Sequence, residues 1–350
     1  MSGLDRRPLG RTDMNVPSLC LGTMMYGDQI GEQEAFRQMD RCFEFGIDFF
    51  DTAEMYTIPP KAETQGESER IVGRWIQSRG ARDRLTLATK VAGRSDMTYL
   101  RDKETRVTRD QVRAAVEQSL RNLQTDYVDL YQVHWPDRRA NTFGRELKGF
   151  RVYDNTDAVP IEEQLQALAE LVDEGKVRAI GLSNETAWGV MSFLRAAERH
   201  NLPAVASVQN AYNLLNRVLE YGLAEVLVEE KVSLLPYSPI GQGALTGKYL
   251  GGARPEGSRG ALFERLGRYQ TPNAEAAIKA YVDLAADLGV DPVTLSMAFV
   301  TTRPWTTSNI FGASNEAQLE LILQSVEFDM TKEVLDRINE IHVRYPNPCP

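Results

Sequence analysis

Short apolar strands that alternate with amphipathic helices predict an α/β fold, a parallel sheet closed into a (β/α)8 barrel of the TIM type. Eight such strands lie at 17–21, 47–50, 85–89, 127–133, 177–182, 206–209, 232–237 and 308–312. The helices lie near 32–45, 66–79, 108–123, 160–174, 186–199, 217–230, 273–288, 292–302 and 315–325. A length of 350 residues suits this fold, because such barrels take about 250 residues and grow by insertions in their loops. We therefore expect one barrel domain over residues 1–350.

Local signals predict where several of these elements begin. The segments 64–67 and 108–111 have the T-x-x-E/Q spacing of a capping box, in which two side chains bond free N–H groups at the start of a helix. Asp291 precedes Pro292, which predicts a capping side chain ahead of a helix that begins with proline. The turn-rich segment 9–13 predicts an N-terminal hairpin that covers one end of the barrel.

Two predicted connections are too long to be ordinary turns. Residues 137–159 follow the fourth strand and residues 238–272 follow the seventh. Loops of this length in compact domains are usually lids, binding loops or disordered segments. Both follow the carboxyl ends of strands, the face on which (β/α)8 enzymes build their active sites. We therefore expect the loops to enclose a substrate, with extra helices near the C-terminus completing the fold.

The composition argues against several classes of protein and partner. An excess of 49 acidic over 40 basic residues, a net charge of -9, disfavours a nucleic-acid partner. No apolar run approaches the roughly 18 residues of a membrane-spanning helix. Cys20, Cys42 and Cys349 are too few and too widely spaced for a disulfide framework or a zinc site. The pair Arg6-Arg7 is not followed by the apolar segment of a signal peptide, so we expect a cytoplasmic protein without a membrane partner or a metal.

Polar and ionisable residues follow the predicted strands where each strand ends. They are Asp51, Tyr56, Lys90, His134, Ser183, Asn184, Gln209, Tyr237, Ser238 and the segment 312–314. Because the carboxyl ends of the strands meet at one rim of a barrel, we expect these side chains to converge. One such residue alone is more often a packing or solvated residue, and the prediction rests on the whole group.

Lys90 has three uses at such a rim: a Schiff base, a phosphate contact, or electrostatic tuning of a neighbour. With Tyr56 nearby, the Lys90 ammonium would favour the phenolate form of the tyrosine. Asp51 would keep Lys90 charged. His134 would be a neutral hydrogen-bond donor to the same substrate oxygen.

The glycine-rich segment GQGALTGK, 241–248, directly follows the seventh strand. Its spacing fits neither the dinucleotide fingerprint nor the Walker motif. A loop that ends in Lys248 can still present backbone N–H groups and a positive charge to a diphosphate. A flexible connection explains the spacing equally well.

Motifs along nearly the whole chain resemble those of the aldo-keto reductase superfamily. They are FFDTAEMY, ETQGESE, TLATK, DLYQVHWP, AIGLSNET, VQNAYNLLNR, LPYSPIGQGALTGKY and FGASNEAQLE, in this order. The segments MYTIPPKAETQG, LQTDYVDLYQVHWP, GLSNETAWGVM and TGKYLGGARP look like the bacterial Tas-type branch, related to the potassium-channel β-subunit reductases. The resemblance implies an NADPH-dependent oxidoreductase that reduces an aldehyde or ketone to the alcohol.

The resemblance also implies a role for each matching residue. The catalytic tetrad falls on Asp51, Tyr56, Lys90 and His134, with Tyr56 as the general acid. Nicotinamide contacts fall on Tyr237, which stacks on the ring, and on Ser183, Asn184 and Gln209, which hold the carboxamide. Diphosphate contacts fall on Ser238, Ile240, Gln242 and Lys248, and adenosine contacts on Arg259, Gly312, Ser314 and Gln318.

One position departs from the pattern of the family. Relatives commonly carry a polar pair that contacts adenine in the helix after the GAS motif, and this chain has Leu321-Ile322 there. We therefore expect weaker binding of adenine. Lys248, Arg259 and Ser314 still favour NADPH, because a 2′-phosphate gains most from fixed cationic donors.

Two other classes of function stay open at this point. The related channel subunits suggest a nicotinamide-binding sensor or partner subunit with vestigial turnover. A metal-dependent hydrolase or isomerase on the same barrel is disfavoured, because the chain has 3 histidines without paired spacing.

For a small carbonyl substrate, the residues expected to form an aromatic or apolar wall are Tyr26, Met55, Trp135, Phe143 and Tyr153.

Overall fold

Eight parallel strands surround the centre of the protein in a computed structural model that describes residues 4–144, 149–262 and 266–350. The strands of the described residues are β1 (Arg6–Pro8), β2 (Asn15–Pro17), β3 (Leu19–Gly22), β4 (Phe49–Asp51), β5 (Thr86–Val91), β6 (Val128–Val133), β7 (Val177–Ser183), β8 (Ser207–Gln209), β9 (Ser233–Leu234) and β10 (Asn309–Phe311). The order in the sheet is β10-β3-β4-β5-β6-β7-β8-β9.

The two edges of this sheet meet and close the barrel. Leu234 forms an isolated parallel bridge with Thr306, and Tyr237 forms another with Ile310. The backbone N–H of Ile310 donates to Pro236 O at 2.8 Å. The predicted (β/α)8 fold is therefore confirmed.

Helices follow the barrel strands, as predicted. In the described residues they are α1 (Glu32–Phe45), α2 (Glu67–Arg79), α3 (Arg109–Leu123), α4 (Ile161–Asp173), α5 (Ala187–His200), α6 (Leu223–Glu229), α7 (Arg259–Leu262), α8 (Ala274–Asp287), α9 (Pro292–Thr301), α10 (Glu316–Gln324) and α11 (Lys332–Arg344). Helix α1 buries Ala35, Met39 and Cys42, a spacing that puts the three side chains on one face. It ends at Gly46, whose φ of 100° is easily reached only by glycine.

Several predicted boundaries differ from the observed ones. The seventh predicted strand, 232–237, shortens to β9, because Pro236 has no N–H group to donate to a neighbour. The helix predicted at 217–230 begins only at Leu223, after Gly222 with a φ of 135°. Elsewhere the predicted strands and helices match to within about two residues.

The capping predictions had mixed outcomes. The Asp291 side chain accepts a hydrogen bond from Val293 N at 2.7 Å, which confirms the cap of α9. The box at 64–67 is wrong, because α2 begins after Gly66 and the Thr64 hydroxyl bonds that of Thr57 instead. The box at 108–111 does not form either, although α3 begins where it was predicted.

The N-terminal hairpin closes the end of the barrel where the strands begin. Strands β1 and β2 pair antiparallel, and the loop between them carries Leu9, which is fully buried inside the barrel. Gly10 N donates to the Ser233 hydroxyl at 2.7 Å, which fixes the hairpin to β9. The hairpin therefore seals the end opposite to the strand carboxyl termini.

The barrel interior is built in layers, apolar near the hairpin and polar near the mouth. The apolar members are Leu9, Val16, Cys20, Phe49, Ala88, Leu130, Ala179, Ala206, Leu235 and Ile310. Side chains alternate along a strand, so residues two positions further on face the next layer toward the mouth. This step leads from Phe49 to Asp51 in β4, from Ala88 to Lys90 in β5 and from Leu130 to Gln132 in β6. With Gln209 of β8, these three residues form what we call the polar layer.

The two long loops lie where they were predicted, after β6 and β9. The second loop carries 3₁₀ turns at Gly241–Thr246, Leu250–Gly252 and Gly267–Tyr269 as well as α7. Residues 145–148 and 263–265 of the predicted loops lie outside the described residues. Within the described ranges, no single helix is long and apolar enough to cross a membrane; α8 and α9 meet that test only as a pair, bent by 98°.

Replacing Gly10 tests the docking of the hairpin. Gly10→Ala should lower the free energy of unfolding by about 2–4 kcal/mol, from an unfavourable backbone conformation and a steric clash together. Gly10 has a φ of 59°, and an added Cβ would lie 2.4 Å from Ala206 O. Gly80→Ala is the matched control, because Gly80 has a φ of 54° and no heavy atom within 4 Å of an added Cβ. It should cost about 1 kcal/mol in urea unfolding, and equal losses for both variants would contradict the docking.

Candidate active site

An ion pair buried inside the barrel mouth is the central feature of the site. Lys90 Nζ donates to Asp51 Oδ2 at 2.5 Å and to Thr52 O at 2.7 Å. The exposed fractions of the Lys90 and Asp51 side chains are 0% and 2%. Burial alone would lower the pKa of the Lys90 ammonium, but the Asp51 carboxylate and the Tyr56 oxygen outweigh it, so the net pKa is raised. Lys90 is therefore a fixed positive charge.

Two glutamine side chains complete the coordination of the Asp51 carboxylate. Gln132 Nε2 donates to Asp51 Oδ1 at 3.0 Å, and Gln209 Nε2 donates to the same oxygen at 2.9 Å. Gln209 Nε2 also lies 3.1 Å from Gln132 Oε1. These contacts cross the barrel interior, because β8 is not a neighbour of β4 in the sheet. The polar layer is thus one connected hydrogen-bond network.

Tyr56 lies in the loop after β4, with its hydroxyl against the ion pair. Lys90 Nζ donates to Tyr56 Oη at 3.3 Å, which leaves the hydroxyl proton available to another acceptor. Lys90 does lower the pKa of Tyr56, as expected, but this effect does not decide the protonation state. Burial raises the pKa of Tyr56 by more than Lys90 lowers it, and Asp51 adds to the rise. At neutral pH Tyr56 is therefore a protonated phenol, the form that a proton donor needs.

His134 lies directly after β6 and faces Tyr56. The centroids of the two rings are 5.6 Å apart, and their planes meet at 79°. Burial and then the charge of Lys90 hold the pKa of His134 well below its usual value, so the imidazole is neutral. Its buried Nδ1 atom has no hydrogen-bond partner in the described part of the chain. The neutral donor expected from the sequence is therefore supported by the electrostatics.

Hydrogen bonds connect the predicted nicotinamide contacts to His134, one of the predicted catalytic residues. Asn184 Nδ2 donates to His134 O at 2.9 Å, and the Tyr237 hydroxyl donates to Asn184 Oδ1 at 2.7 Å. The Ser183 hydroxyl donates to Gln209 O at 2.8 Å. The ends of β7 and β8 and the segment after β9 are thus held together beside the ion pair.

A cavity of about 220 Å³ opens beside these residues. Its lining includes Asn184, Asn210 and Tyr237, together with Phe143 from the loop after β6. A space at the mouth of the barrel, adjoining convergent polar groups, is the usual form of a small-molecule site.

Left-handed backbone occurs at three of the predicted cofactor contacts. The φ angles of Asn184, Ser238 and Gln242 are 51°, 56° and 56°. Residues other than glycine adopt this conformation at a cost of about 1 kcal/mol or more, and it concentrates at functional sites. Gly241 and Gly243, on either side of Gln242, also have positive φ. Gly241 N and Gly243 N donate to Ser238 O and Ile240 O at 2.9 and 3.0 Å, so the turn is held by its own hydrogen bonds.

The remaining predicted contacts lie in the segments that follow β9 and β10, Arg259 at the start of α7 and Gln318 on α10. Lys248 Nζ lies close to Gly243, and an added Cβ there would be 3.2 Å from it. Gln318 Oε1 accepts from both the N–H and the hydroxyl of Ser314, the latter at 2.7 Å. Ile240, Arg259 and Gly312 are half-buried in the same two segments.

The departure from the family pattern has a structural counterpart in α10. The Ile322 side chain is only 1% exposed and belongs to the main hydrophobic core. Leu321 is half-buried and packs against the same core. Neither side chain can hydrogen-bond a base, so the sequence-based expectation of weaker adenine binding stays a prediction.

Apolar side chains surround Tyr56 and form a wall of the site. Met55 and Trp135 are among them. The Phe143 ring packs edge to face against Trp135, with the two ring centroids 6.4 Å apart. The expectation for Tyr26 is wrong, because this side chain is 1% exposed and its hydroxyl bonds Gln38. Tyr153 lies under the Arg151 guanidinium in the loop after β6. Other members of the wall, not predicted from the sequence, are Met24, Ile58, Met97 and Leu100.

Gln132 and Glu54 are polar residues of the site that the sequence analysis missed. Glu54 accepts a hydrogen bond from Ala92 N at 2.6 Å and pairs with Arg101 at 2.5 Å, which ties the loop of Tyr56 to the end of β5. Gln132 shares strand parity with the buried Leu130, and a polar residue facing a barrel interior is a signal that could have found it.

The fold and this site together define a barrel oxidoreductase class, and comparisons with known proteins agree. The model of the Aldo/keto reductase family matches residues 18–343. The chain is 44% identical over 341 residues to protein tas of Escherichia coli (strain K12), with 97% of this chain and 98% of that protein covered.

Two further relatives align with this chain over nearly their whole length. The uncharacterized oxidoreductase YrpG of Bacillus subtilis (strain 168) is 32% identical, with 97% of this chain and 95% of that protein covered. A putative voltage-gated potassium channel subunit beta of Schizosaccharomyces pombe (strain 972 / ATCC 24843) is 30% identical, with 96% and 92% covered. The chain belongs to the aldo/keto reductase family, whose members are oxidoreductases that generally use NAD(P)H.

The protonation state of His134 can be measured directly. Because its pKa lies well below the usual value, the imidazole should still be neutral, in a ¹⁵N-labelled NMR titration, at pH values where an ordinary histidine is protonated. His134→Gln assigns the signal by its loss. A midpoint near or above 6.5 would contradict the described burial beside Lys90.

Proposed function

We propose that the protein reduces an aldehyde or ketone to the alcohol with NADPH as the hydride donor. One observation carries the proposal: Lys90 Nζ lies between Asp51 Oδ2 at 2.5 Å and Tyr56 Oη at 3.3 Å, inside a buried barrel mouth. A protonated phenol held against a fixed positive charge is suited to give up its proton to a developing alkoxide.

The residues divide the work in a simple way. Bound reduced nicotinamide supplies a hydride to the carbonyl carbon. Tyr56 gives its proton to the carbonyl oxygen, and Lys90 stabilises the phenolate that remains. His134, being neutral, donates a hydrogen bond that orients the same oxygen. The hydride and the proton together complete the alcohol.

The backbone and side chains present suit a dinucleotide. The diphosphate would lie against the left-handed turn at Gly241–Gly243, where Lys248, close to Gly243, adds a positive charge. Lys248, Arg259 and Ser314 are the groups that we propose favour the 2′-phosphate of NADPH over the hydroxyl of NADH. Ser183, Asn184, Gln209 and Tyr237 would hold the nicotinamide beside Tyr56.

An alternative proposal is a nicotinamide-binding sensor or partner subunit with little turnover. The likeness to a putative potassium channel subunit beta supports it, since that relative covers nearly the whole chain. The two proposals differ in one measurable quantity, the rate at which NADPH is consumed with a panel of aldehydes and ketones. Tight cofactor binding without carbonyl-dependent consumption would favour the sensor.

Tyr56→Phe tests the proton donor. Turnover should fall by about 10²- to 10⁴-fold, while the dissociation constant for NADPH stays the same, because only the acidic hydroxyl is removed. Tyr127→Phe is the control, since Tyr127 directly precedes β6 at the end of the barrel opposite to the site. Undiminished aldehyde reduction by Tyr56→Phe would remove Tyr56 from its role.

Arg259→Ala tests the choice of cofactor. The variant should lose about 10- to 100-fold in NADPH affinity and almost none in NADH affinity, because a hydrogen bond to a charged phosphate is lost only in the first case. Fluorescence titration with each reduced cofactor measures both constants. Arg199→Ala, at a side chain 68% exposed on α5, serves as the control. Equal wild-type affinities, or equal losses for the two cofactors, would contradict an NADPH preference.

A further inference from the structure

We propose that Gln132 is a positioning residue that joins Asp51 to Gln209, so that the proton-donating group and the nicotinamide-binding amide act as one unit. The inference rests on the proposed function, which gives Gln209 its contact with the carboxamide. Gln132 itself is fully buried in β6 and lies in the polar layer.

The hydrogen bonds among the three residues form a closed ring. Asp51 Oδ1 accepts from Gln132 Nε2 at 3.0 Å and from Gln209 Nε2 at 2.9 Å. Gln209 Nε2 lies 3.1 Å from Gln132 Oε1. An ionised carboxylate only accepts, so both amides must turn their NH₂ groups toward it. The orientation of each glutamine is thereby fixed by chemistry as well as by packing.

This orientation decides what Gln209 can offer to a ligand. With Nε2 directed to Asp51 and Gln132, the amide turns its oxygen away from them. That oxygen can accept a hydrogen bond from the NH₂ group of a carboxamide. Without Gln132, the Gln209 amide has one partner fewer and more freedom to rotate. Its oxygen is then held less firmly in the orientation that binds the carboxamide, and affinity falls.

A missing side chain on the next strand makes room for Gln132. Gly181 of β7 pairs directly with Gln132 in the parallel register. A Cβ at Gly181 would lie 2.9 Å from Gln132 Cγ and 2.7 Å from the Ser207 hydroxyl. The Gln132 side chain therefore occupies the space beside a glycine on its way across the barrel. The glycine in β7 thus leaves the space that the hydrogen-bonded ring needs beside β6.

The ring predicts non-additive effects on cofactor affinity. Gln209→Met should weaken binding of the preferred reduced nicotinamide cofactor by about 10-fold, and Gln132→Met by about 5-fold. The double variant should be no weaker than Gln209→Met alone, because Gln132 acts only through Gln209. Fluorescence titration gives all three constants without requiring turnover.

Two further variants separate positioning from general destabilisation. Gln38→Met removes another buried glutamine, which lies on α1 and accepts a hydrogen bond from the Tyr26 hydroxyl. This variant should leave cofactor affinity unchanged. Gln132→Glu keeps the size of the side chain, so it also covers the case in which Gln132→Met folds poorly. As a protonated acid it can donate to Asp51 and accept from Gln209, so affinity relative to wild type should be near normal at pH 6 and decline as pH rises.

The outcomes distinguish failure of the proposed function from failure of the inference about Gln132 alone. A wild-type protein that binds neither NADPH nor NADH contradicts the proposed function, and the inference with it. Normal wild-type binding with additive losses in the double variant overturns the inference alone. The same holds if Gln132→Glu follows wild type at every pH, or if Gln38→Met weakens binding as much as Gln132→Met.

Discussion

A lysine and an aspartate that face each other inside the barrel, out of contact with water, impose the constraint on which the rest of the active site depends. Removing one partner of such a buried pair typically costs about 3–5 kcal/mol, because the other charge stays buried and unpaired. The Lys90–Asp51 pair is stable only because its remaining hydrogen-bonding positions are filled. Thr52 O accepts from the ammonium, and two glutamines donate to the carboxylate. The polar layer therefore stabilises the charges around which the mouth of the barrel is arranged.

The same burial shifts the pKa values of neighbouring groups in opposite directions, up for Tyr56 and down for His134. It disfavours the charged form of each, so Tyr56 stays a phenol and His134 stays neutral, whereas Lys90 keeps its charge because Asp51 is in direct contact. The mouth thus combines one acidic proton, one neutral donor and one fixed cation within a few ångströms. This combination is what carbonyl reduction requires, since negative charge develops on a single oxygen during the reaction.

The sequence was sufficient for the fold and for the strand-end residues, and insufficient for what depends on packing across the barrel. Asp51, Lys90 and His134 could be found because each directly follows one of the predicted apolar strands, and parallel strands bring such ends together. Gln132 lies within a predicted strand, and its partners belong to strands that become close only when the barrel closes. The direction of the Tyr56 pKa also escaped prediction, because the sign depends on how much water the packed loops exclude. The burial of Ile322 shows the same limit.

Transfer of deuterium tests the central claim most directly, the claim that the buried pair and Tyr56 serve hydride transfer to a carbonyl group. Wild-type protein supplied with NADPH deuterated at C4 and an aldehyde should place deuterium on the former carbonyl carbon. Lys90→Met should still bind the cofactor but transfer deuterium at least about 10²-fold more slowly, since the phenolate left by Tyr56 loses its cation. Thermal unfolding of the same samples would establish that the variant is folded. Absence of transfer by the wild type, or equal rates for a folded Lys90→Met, would contradict the account.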